Sequence, residues 1–230
     1  YTGRAPLEAA AMGLTLGHDD WAVRCNLMTI ADGRLADFTA GHITSEEGAA
    51  ILATLQEALG RPDVEFHAGV SYRNAMIYRG APGVARFTGE TKTVPPHDHP
   101  DQPARDYLPT GPGADLLIEL MEKAGPLLAE HPVNRARVAA GKKPASAIWL
   151  WGQGEAPHMP PFRTLHGLNA AIISAVDLVR GVGVLAGWDR IDVPTATGYL
   201  DTDYAAKGRA GIDALRDHDL VCVHVEAPDE

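Results

Sequence analysis

The sequence predicts an α/β protein, with a compact α+β region in its first half and a parallel sheet of doubly wound type in its second. Three observations carry that prediction. After about residue 108, short apolar runs alternate with helix-length amphipathic stretches, the pattern of strands joined by crossover helices. Before residue 90 the order is different: strand, hairpin turn, strand, helix and two further strands. Between these regions a segment rich in Pro, Gly, His and Asp breaks both patterns.

Taken in order, residues 1–16 read as a short helix with Pro6 in its first turn, where the missing N–H costs nothing. From Trp21 to Ile30 the residues alternate, placing Val23, Cys25 and Leu27 on one face and Arg24 and Asn26 on the other. Asp32-Gly33 supplies a hairpin turn, with a return strand over about 35–43. Arg24, Asn26 and, across the turn, Asp37 form the first site candidate, because a planar guanidinium with amide donors suits phosphate or carboxylate. The alternative is a solvent-facing sheet surface.

Thr44 and Glu47 have capping-box spacing, and Leu52, Leu55 and Leu59 then mark one helical face. Strands are expected over 64–70 and 74–79, with Arg73 at their junction as a further anion contact or a solvated side chain. The stretch from Thr93 to Asp101, with His97, Asp98, His99 and Asp101, reads as a polar hinge rather than a metal site, since its prolines fix the backbone without regard to coordination.

Beyond it, Leu117, Leu120, Met121 and Ala124 define a helix continuing past Pro126 to about His131-Pro132. Strands are expected at 147–151, 168–173, 191–193 and 220–225. Gly152-Gln153-Gly154 lacks the third spaced glycine of a dinucleotide fingerprint and reads as a strand-end turn. The last helix is expected to bury Tyr204, Gly208, Gly211 and Leu215. No Walker loop, nucleophile elbow or Cys-x-x-Cys pair occurs in the sequence. The chain ends on a strand running into Glu226, Asp229 and Glu230, and in open α/β sheets the chemistry sits at that carboxyl edge.

Composition narrows the functional classes. The 230 residues are 45% hydrophobic and 22% charged, which suits a folded globular protein. A net charge of −10 argues against nucleic acid or an anionic membrane as partner, since both require a basic face. Cys25 and Cys222, far apart in apolar contexts, resemble reduced core thiols, and no apolar run reaches the ~20 residues of a membrane span. A cytoplasmic protein is expected. The first residue is Tyr1, so the sequence reads as an excerpt of a longer chain.

Several motifs together resemble the archaeal-type cofactor-independent phosphoglycerate mutases of the alkaline phosphatase superfamily. They are the stretch from Tyr1 to Ala9, Val23-Arg24-Cys25-Asn26, His131-Pro132-Val133-Asn134, the loop from Ala196 to Tyr204, and the closing run from His224 to Glu230. The resemblance implies a partial phosphatase-like domain over 1–16 and 108–230, an inserted substrate-binding α+β domain over 17–90, and a hinge over 91–107. It implies an isomerase interconverting 3-phosphoglycerate and 2-phosphoglycerate through a phosphoserine or phosphothreonine intermediate. Two divalent ions (Mn, Mg, Zn or Co) would serve the full-length protein, with none expected to be held by these 230 residues.

Within the resemblance, Arg24, Asn26, Asp37 and Arg73 match substrate-binding positions and Asp229 a metal ligand. The nucleophile and the other metal ligands match no position here, so the chain alone is expected to be inactive. Phe38, Thr39 and His42 stand where the family pattern carries basic residues, which bears on the substrate. The alternatives are a related metal-dependent phosphotransferase, homoserine kinase-like or labelled phosphonopyruvate decarboxylase, and a non-catalytic ligand-binding module.

Overall fold

In the computed structural model, residues 3–226 are described, and they form two compact units. The larger comprises residues 3–5 and Leu16–Ala156, and the smaller Pro6–Thr15 and residues 157–226. The opening helix α1 spans Ala5–Ala11, with Pro6 in its first turn as expected.

The larger unit is organised by β1 (Trp21–Ala31). It pairs antiparallel with β4 (Arg73–Tyr78) along one edge and with β5 (Ala147–Glu155) along the other. β3 (Val64–Val70) adds outside β4, and β2 (Arg34–Asp37) pairs with the far end of β1. Flanked on both edges, β1 is buried on both faces through its first nine residues. Val23, Cys25 and Leu27, all 0% exposed, share a core with Ile51, Leu52 and Leu55 of helix α2 (Ser45–Leu59). Burial there pushes the Cys25 thiol up to about 12.

The capping box that starts α2 is present: the Glu47 amide donates to Thr44 Oγ1 at 3.2 Å and the Thr44 amide to Glu47 Oε2 at 3.0 Å. Helix α3 (Ala114–Ala129) runs through Pro126 and buries Leu116, Leu117, Leu120, Met121, Ala124 and Leu128. The His131-Pro-Val-Asn motif then proves structural. His131 caps α4 (Pro132–Ala139), and buried Asn134 donates to the Leu128 and Ala145 carbonyls while accepting from the Ala145 amide.

Three expectations change in this unit. The return strand stops at Asp37 rather than about 43, because Ala40, Gly41 and His42 take positive φ values of 50°, 62° and 52° that no strand accommodates. Arg137, 2% exposed, holds that loop by donating to the Ala40 and Gly41 carbonyls at 2.6 and 3.0 Å and to Glu47. Residues 91–107 do not divide the fold; the two compact units divide after Ala156. The reason is that β1 has a second edge whose backbone groups need partners, and β5 satisfies them, drawing α3, α4 and β5 into the antiparallel unit.

The third change lies within β5. Gly152-Gln153-Gly154 is not a strand-end turn but part of the strand. Its pairing with β1 shifts between Ala22↔Gly154 and Arg24↔Trp151, so two residues oppose one, and Gly152 takes φ 63°, the geometry of a β-bulge.

The smaller unit holds a three-stranded parallel sheet in the order β7-β6-β8, with β6 Ala170–Ile173, β7 Asp189–Arg190 and β8 Leu220–Val223. Besides α1, three helices accompany it: α5 (Phe162–His166), α6 (Asp177–Leu185) and α7 (Tyr204–Ala214). The parallel doubly wound element of the prediction is therefore confined to this unit. The expected strand at 191–193 pairs two residues earlier, at Asp189–Arg190. On α7 the buried face is Lys207, Gly211 and Ala214, whereas Tyr204 and Leu215 are 46% and 55% exposed. Gly211 belongs there because a Cβ would stand 2.8 Å from Val223 Cγ2, and Lys207 because its Nζ finds a carbonyl.

Candidate functional site

Two groups of polar side chains stand out, one in each unit. In the larger unit, the β1 alternation puts Arg24 and Asn26 on the face opposite Cys25 and Leu27. Cross-strand register puts Trp151 beside Arg24, and both Trp149 and Arg73 beside Asn26, on that same face. The Arg24 guanidinium lies 4.2 Å from the Trp151 ring centroid, a cation–π contact. The Trp151 Nε1–H donates to Asn26 Oδ1 at 3.2 Å. Arg24 is 5% exposed and Asn26 1%. This is not a solvent-facing sheet surface.

The segment read as a hinge covers this face. Thr93 Oγ1 accepts from the Gly152 amide at 2.9 Å and donates to Gln153 Oε1 at 2.6 Å, while Gln153 Nε2 donates to the Thr91 carbonyl at 2.8 Å. Trp149 Nε1 donates to the Val94 carbonyl at 2.8 Å. The bulge thus turns β5 polar groups towards residues 91–94, and Pro95-Pro96 carries the chain on to His97. The His97 ring packs 5.4 Å from that of Trp151 and 5.8 Å from that of Phe38. Burial lowers the His97 pKa, opposed by Asp98 and reinforced by the charges of Arg24 and Arg4.

Arg73 borders the group at an exposed position, its guanidinium 5.4 Å from the Tyr72 ring, which in turn packs edge-on against Phe38 at 6.0 Å. Asp37 does not converge with Arg24 and Asn26. It pairs with Thr29, three residues past Asn26 and so ~10 Å along the strand. Its carboxylate is already engaged, accepting from the Thr39 amide and hydroxyl and from Lys143 Nζ at 3.0 Å. Burial alone would raise its pKa; those hydrogen bonds outweigh it and hold the carboxyl at about 2. Asp37 anchors the loop that presents Phe38.

In the smaller unit the polar groups gather at the carboxyl ends of β6 and β8, as the sheet rule requires. Ser174 Oγ lies 3.2 Å from His224 Nδ1, and His224 Nε2 lies 3.3 Å from Glu226. Lys207, 1% exposed, donates to the His224 carbonyl at 3.1 Å. Burial lowers its pKa, the Arg180 charge adds to that, and Glu226 opposes it. The Ala196–Tyr204 loop is bonded to itself: Thr197 Oγ1 donates to Asp201 at 2.9 Å, and Asp203 caps α7 by accepting from the Ala206 amide at 2.8 Å.

Asp229, the expected metal ligand, lies outside the described residues. Among the described residues no three His, Cys, Asp or Glu side chains assemble as metal ligands, so the donors there do not by themselves fit a divalent ion. The sequence reads His97 as part of a polar hinge and does not single out Trp151, Ser174 or Lys207. A signal exists for Trp151, which shares a strand face with Trp149, and for Ser174, which ends an apolar run.

Fold and site together define an α/β protein with a parallel sheet in one unit and a cationic, aromatic-backed face on an antiparallel sheet in the other. A family model for 2,3-bisphosphoglycerate-independent phosphoglycerate mutase matches residues 1–134. Curated relatives of that name from Methanothrix thermoacetophila and Methanosarcina barkeri are 54% and 50% identical over all of this chain, which covers 56% of each of them. A Geobacter sulfurreducens protein named as a probable member is 48% identical and covered to 57%. Among solved structures, a Pyrococcus horikoshii protein superposes with a TM-score of 0.74 at 26% identity, over 100% of this chain and 52% of that one. The cofactor-independent phosphoglycerate mutase of Thermoplasma acidophilum shares the fold, at a TM-score of 0.60 and 24% identity over 96% of this chain and 58% of that one.

The chain belongs to the 2,3-bisphosphoglycerate-independent phosphoglycerate mutase family, and its fold is a partial alkaline-phosphatase-like one. It spans little more than half the length of the curated relatives it matches.

Proposed function

We propose that these 230 residues contribute the substrate-binding face, and part of the phosphatase-like domain, of an isomerase that interconverts 3-phosphoglycerate and 2-phosphoglycerate. One observation carries the site: the Arg24 guanidinium, 5% exposed, is clamped 4.2 Å over Trp151 on a face shared with Asn26 and Arg73. A guanidinium already stacked and largely desolvated loses little entropy on binding an anion, and it interacts more strongly than a solvated one. Arg73, at the exposed rim, would steer the anionic substrate inward. Asp37 acts on this reading through its loop, not by contact.

The phosphoryl group passes, in this proposal, to a serine or threonine hydroxyl and returns to the other glycerate oxygen. Two divalent ions, with Asp229 among their ligands, would offset phosphate charge when bound. That hydroxyl and the remaining ligands are assigned to sequence outside these residues, so the chain alone should not turn over. Both cysteines are free thiols and no helix among the described residues is long and apolar enough to cross a membrane, which suits a cytoplasmic reaction.

The test is an enolase-coupled assay on the full-length protein, with manganese and without 2,3-bisphosphoglycerate. Conversion is expected, with Arg24→Met raising KM at least about tenfold, as loss of a charged hydrogen-bond donor does. An Arg24→Met protein with unchanged KM would remove this face from substrate binding.

A further inference from the structure

Resting on that assignment of the face to phosphoglycerate, we propose that His97 is a further substrate-contacting residue, whose imidazole donates a hydrogen bond to the anion held by Arg24 and takes up one proton from bulk water as the anion binds.

The placement of His97 is built from several independent elements. The Gly152 bulge turns the β5 backbone and Gln153 towards Thr91 and Thr93, and three hydrogen bonds fix residues 91–93 against it. Trp149 then fixes Val94. Two prolines follow, with Pro95 at φ −64° and Pro96 buried, so little backbone freedom remains between the anchor and His97. The ring is delivered between Phe38 and Trp151, and Trp151 carries Arg24 on its face. Phe38 is set in turn by the Asp37–Lys143 pair and by the left-handed turn that Arg137 holds. A surface histidine in a linker needs none of this.

Exposure separates the partners. Arg24 is 5% exposed, whereas the His97 side chain is 39% exposed, so the imidazole has an open edge. Among the described residues, the charged groups that face it are Asp98 from its own turn, 3.6 Å from Nε2, Arg24 from β1 and Arg4 from the N-terminal segment. Trp151 from β5 and Phe38 from the loop after β2 bring no charge. Burial acts first against the imidazolium, and the Arg24 and Arg4 charges reinforce it against the opposing Asp98, so the unliganded site favours neutral His97. An arriving carboxylate or phosphate offsets the guanidinium charge, and the imidazolium becomes favoured. Binding and protonation are linked, so affinity rises as pH falls from about 8 towards 6.

The experiment compares wild type, His97→Gln, His97→Phe and Arg24→Met in the full-length protein. KM for 3-phosphoglycerate is measured from pH 6 to 8. Proton uptake is measured by titration calorimetry with 3-phosphoglycerate in two buffers of different ionisation enthalpy. Inorganic phosphate and glycerate serve as separate probes of the two anionic ends. Wild type should bind more tightly at pH 6 and take up a proton from the buffer. His97→Gln should lose the uptake and flatten the pH profile, with KM at pH 6.5 about tenfold higher and the loss falling chiefly on KM. Because the substrate phosphate itself titrates near pH 6, the Gln variant also supplies the baseline for that contribution.

A weakened response to either probe in His97→Gln supports the contact and says which end it holds. Unchanged KM, pH profile and proton uptake in both His97 variants would overturn it. If Arg24→Met raises KM while the His97 variants do not, only this inference fails; if Arg24→Met is also silent, the whole face is wrongly assigned.

Discussion

The two units are both α/β in composition, yet within these 230 residues, which span little more than half the length of the curated relatives, their apolar side chains are covered differently. In the larger unit β1 is enclosed on two edges and two faces, and Val23, Leu27, Ile51 and Leu55 are all 0% exposed. In the smaller unit β8 has Leu220 and Val223 each 38% exposed, and Ile212 on α7 is 70% exposed. The apolar strand pattern is as strong at 220–223 as at 21–28. Hydrophobic character marks a segment that can be buried; whether it is depends on which elements cover it.

The largest expected effect tests this contrast directly. Leu55→Ala should cost about 2–5 kcal/mol, from lost transfer energy plus an unfilled cavity, while Ile212→Ala should stay within about 0.5 kcal/mol. Trp21, Trp149 and Trp151 belong to the larger unit, so urea unfolding followed by tryptophan fluorescence reads the first variant. Amide exchange in α7 reads the second. A loss at Ile212 matching that at Leu55 would break the contrast.

Much of the larger unit was legible because its signals are local. Alternation in β1, the Asp32-Gly33 turn and the Thr44–Glu47 box all formed where the sequence places them. What escaped was long-range. No local pattern says that β5 will pair with β1 from 119–134 residues away, and that pairing puts the division between units at Ala156. The same holds for the site. Arg24 and Asn26 were readable from alternation, but Trp151 and His97 reach them only through the β1–β5 register and the Gly152 bulge. The hairpin turn does return the chain along β1, but the register opposes Asp37 to Thr29 and not to Arg24.

Asp37 gives a second, smaller test. Its folded pKa of about 2 lies below its ordinary value of 3.8, so its contribution is fully present above about pH 4 and is lost as pH falls towards 2. The carboxyl is well covered but Lys143 is 56% exposed, so screening leaves about 1–2 kcal/mol. Asp37→Asn should lose that amount at pH 7 and little at pH 2.5, by tryptophan-detected urea unfolding. An equal loss at both pH values would assign the effect to packing rather than charge.

The smallest effects sharpen the comparison most, because the same device occurs once in each unit. Thr44 caps α2 and Asp203 caps α7, and replacing either by Ala should cost about 1 kcal/mol. The consequences should still differ. Helix α2 is held by Ile51, Leu52 and Leu55, so losing its cap frays only the first turn. Helix α7 buries just Lys207, Gly211 and Ala214, and Lys207 stands one turn from the cap with its Nζ on the His224 carbonyl. Asp203→Ala should therefore speed exchange along α7 and also at the His224 amide, which donates to Ile173 at 2.8 Å. Thr44→Ala should leave exchange in β3 and β4 unchanged. Asp203→Asn, which keeps an acceptor, should restore most of the protection. If the His224 amide is indifferent to Asp203→Ala, then Lys207 does not couple the helix to the carboxyl edge of β8, and the sparse burial of α7 has no bearing on that edge.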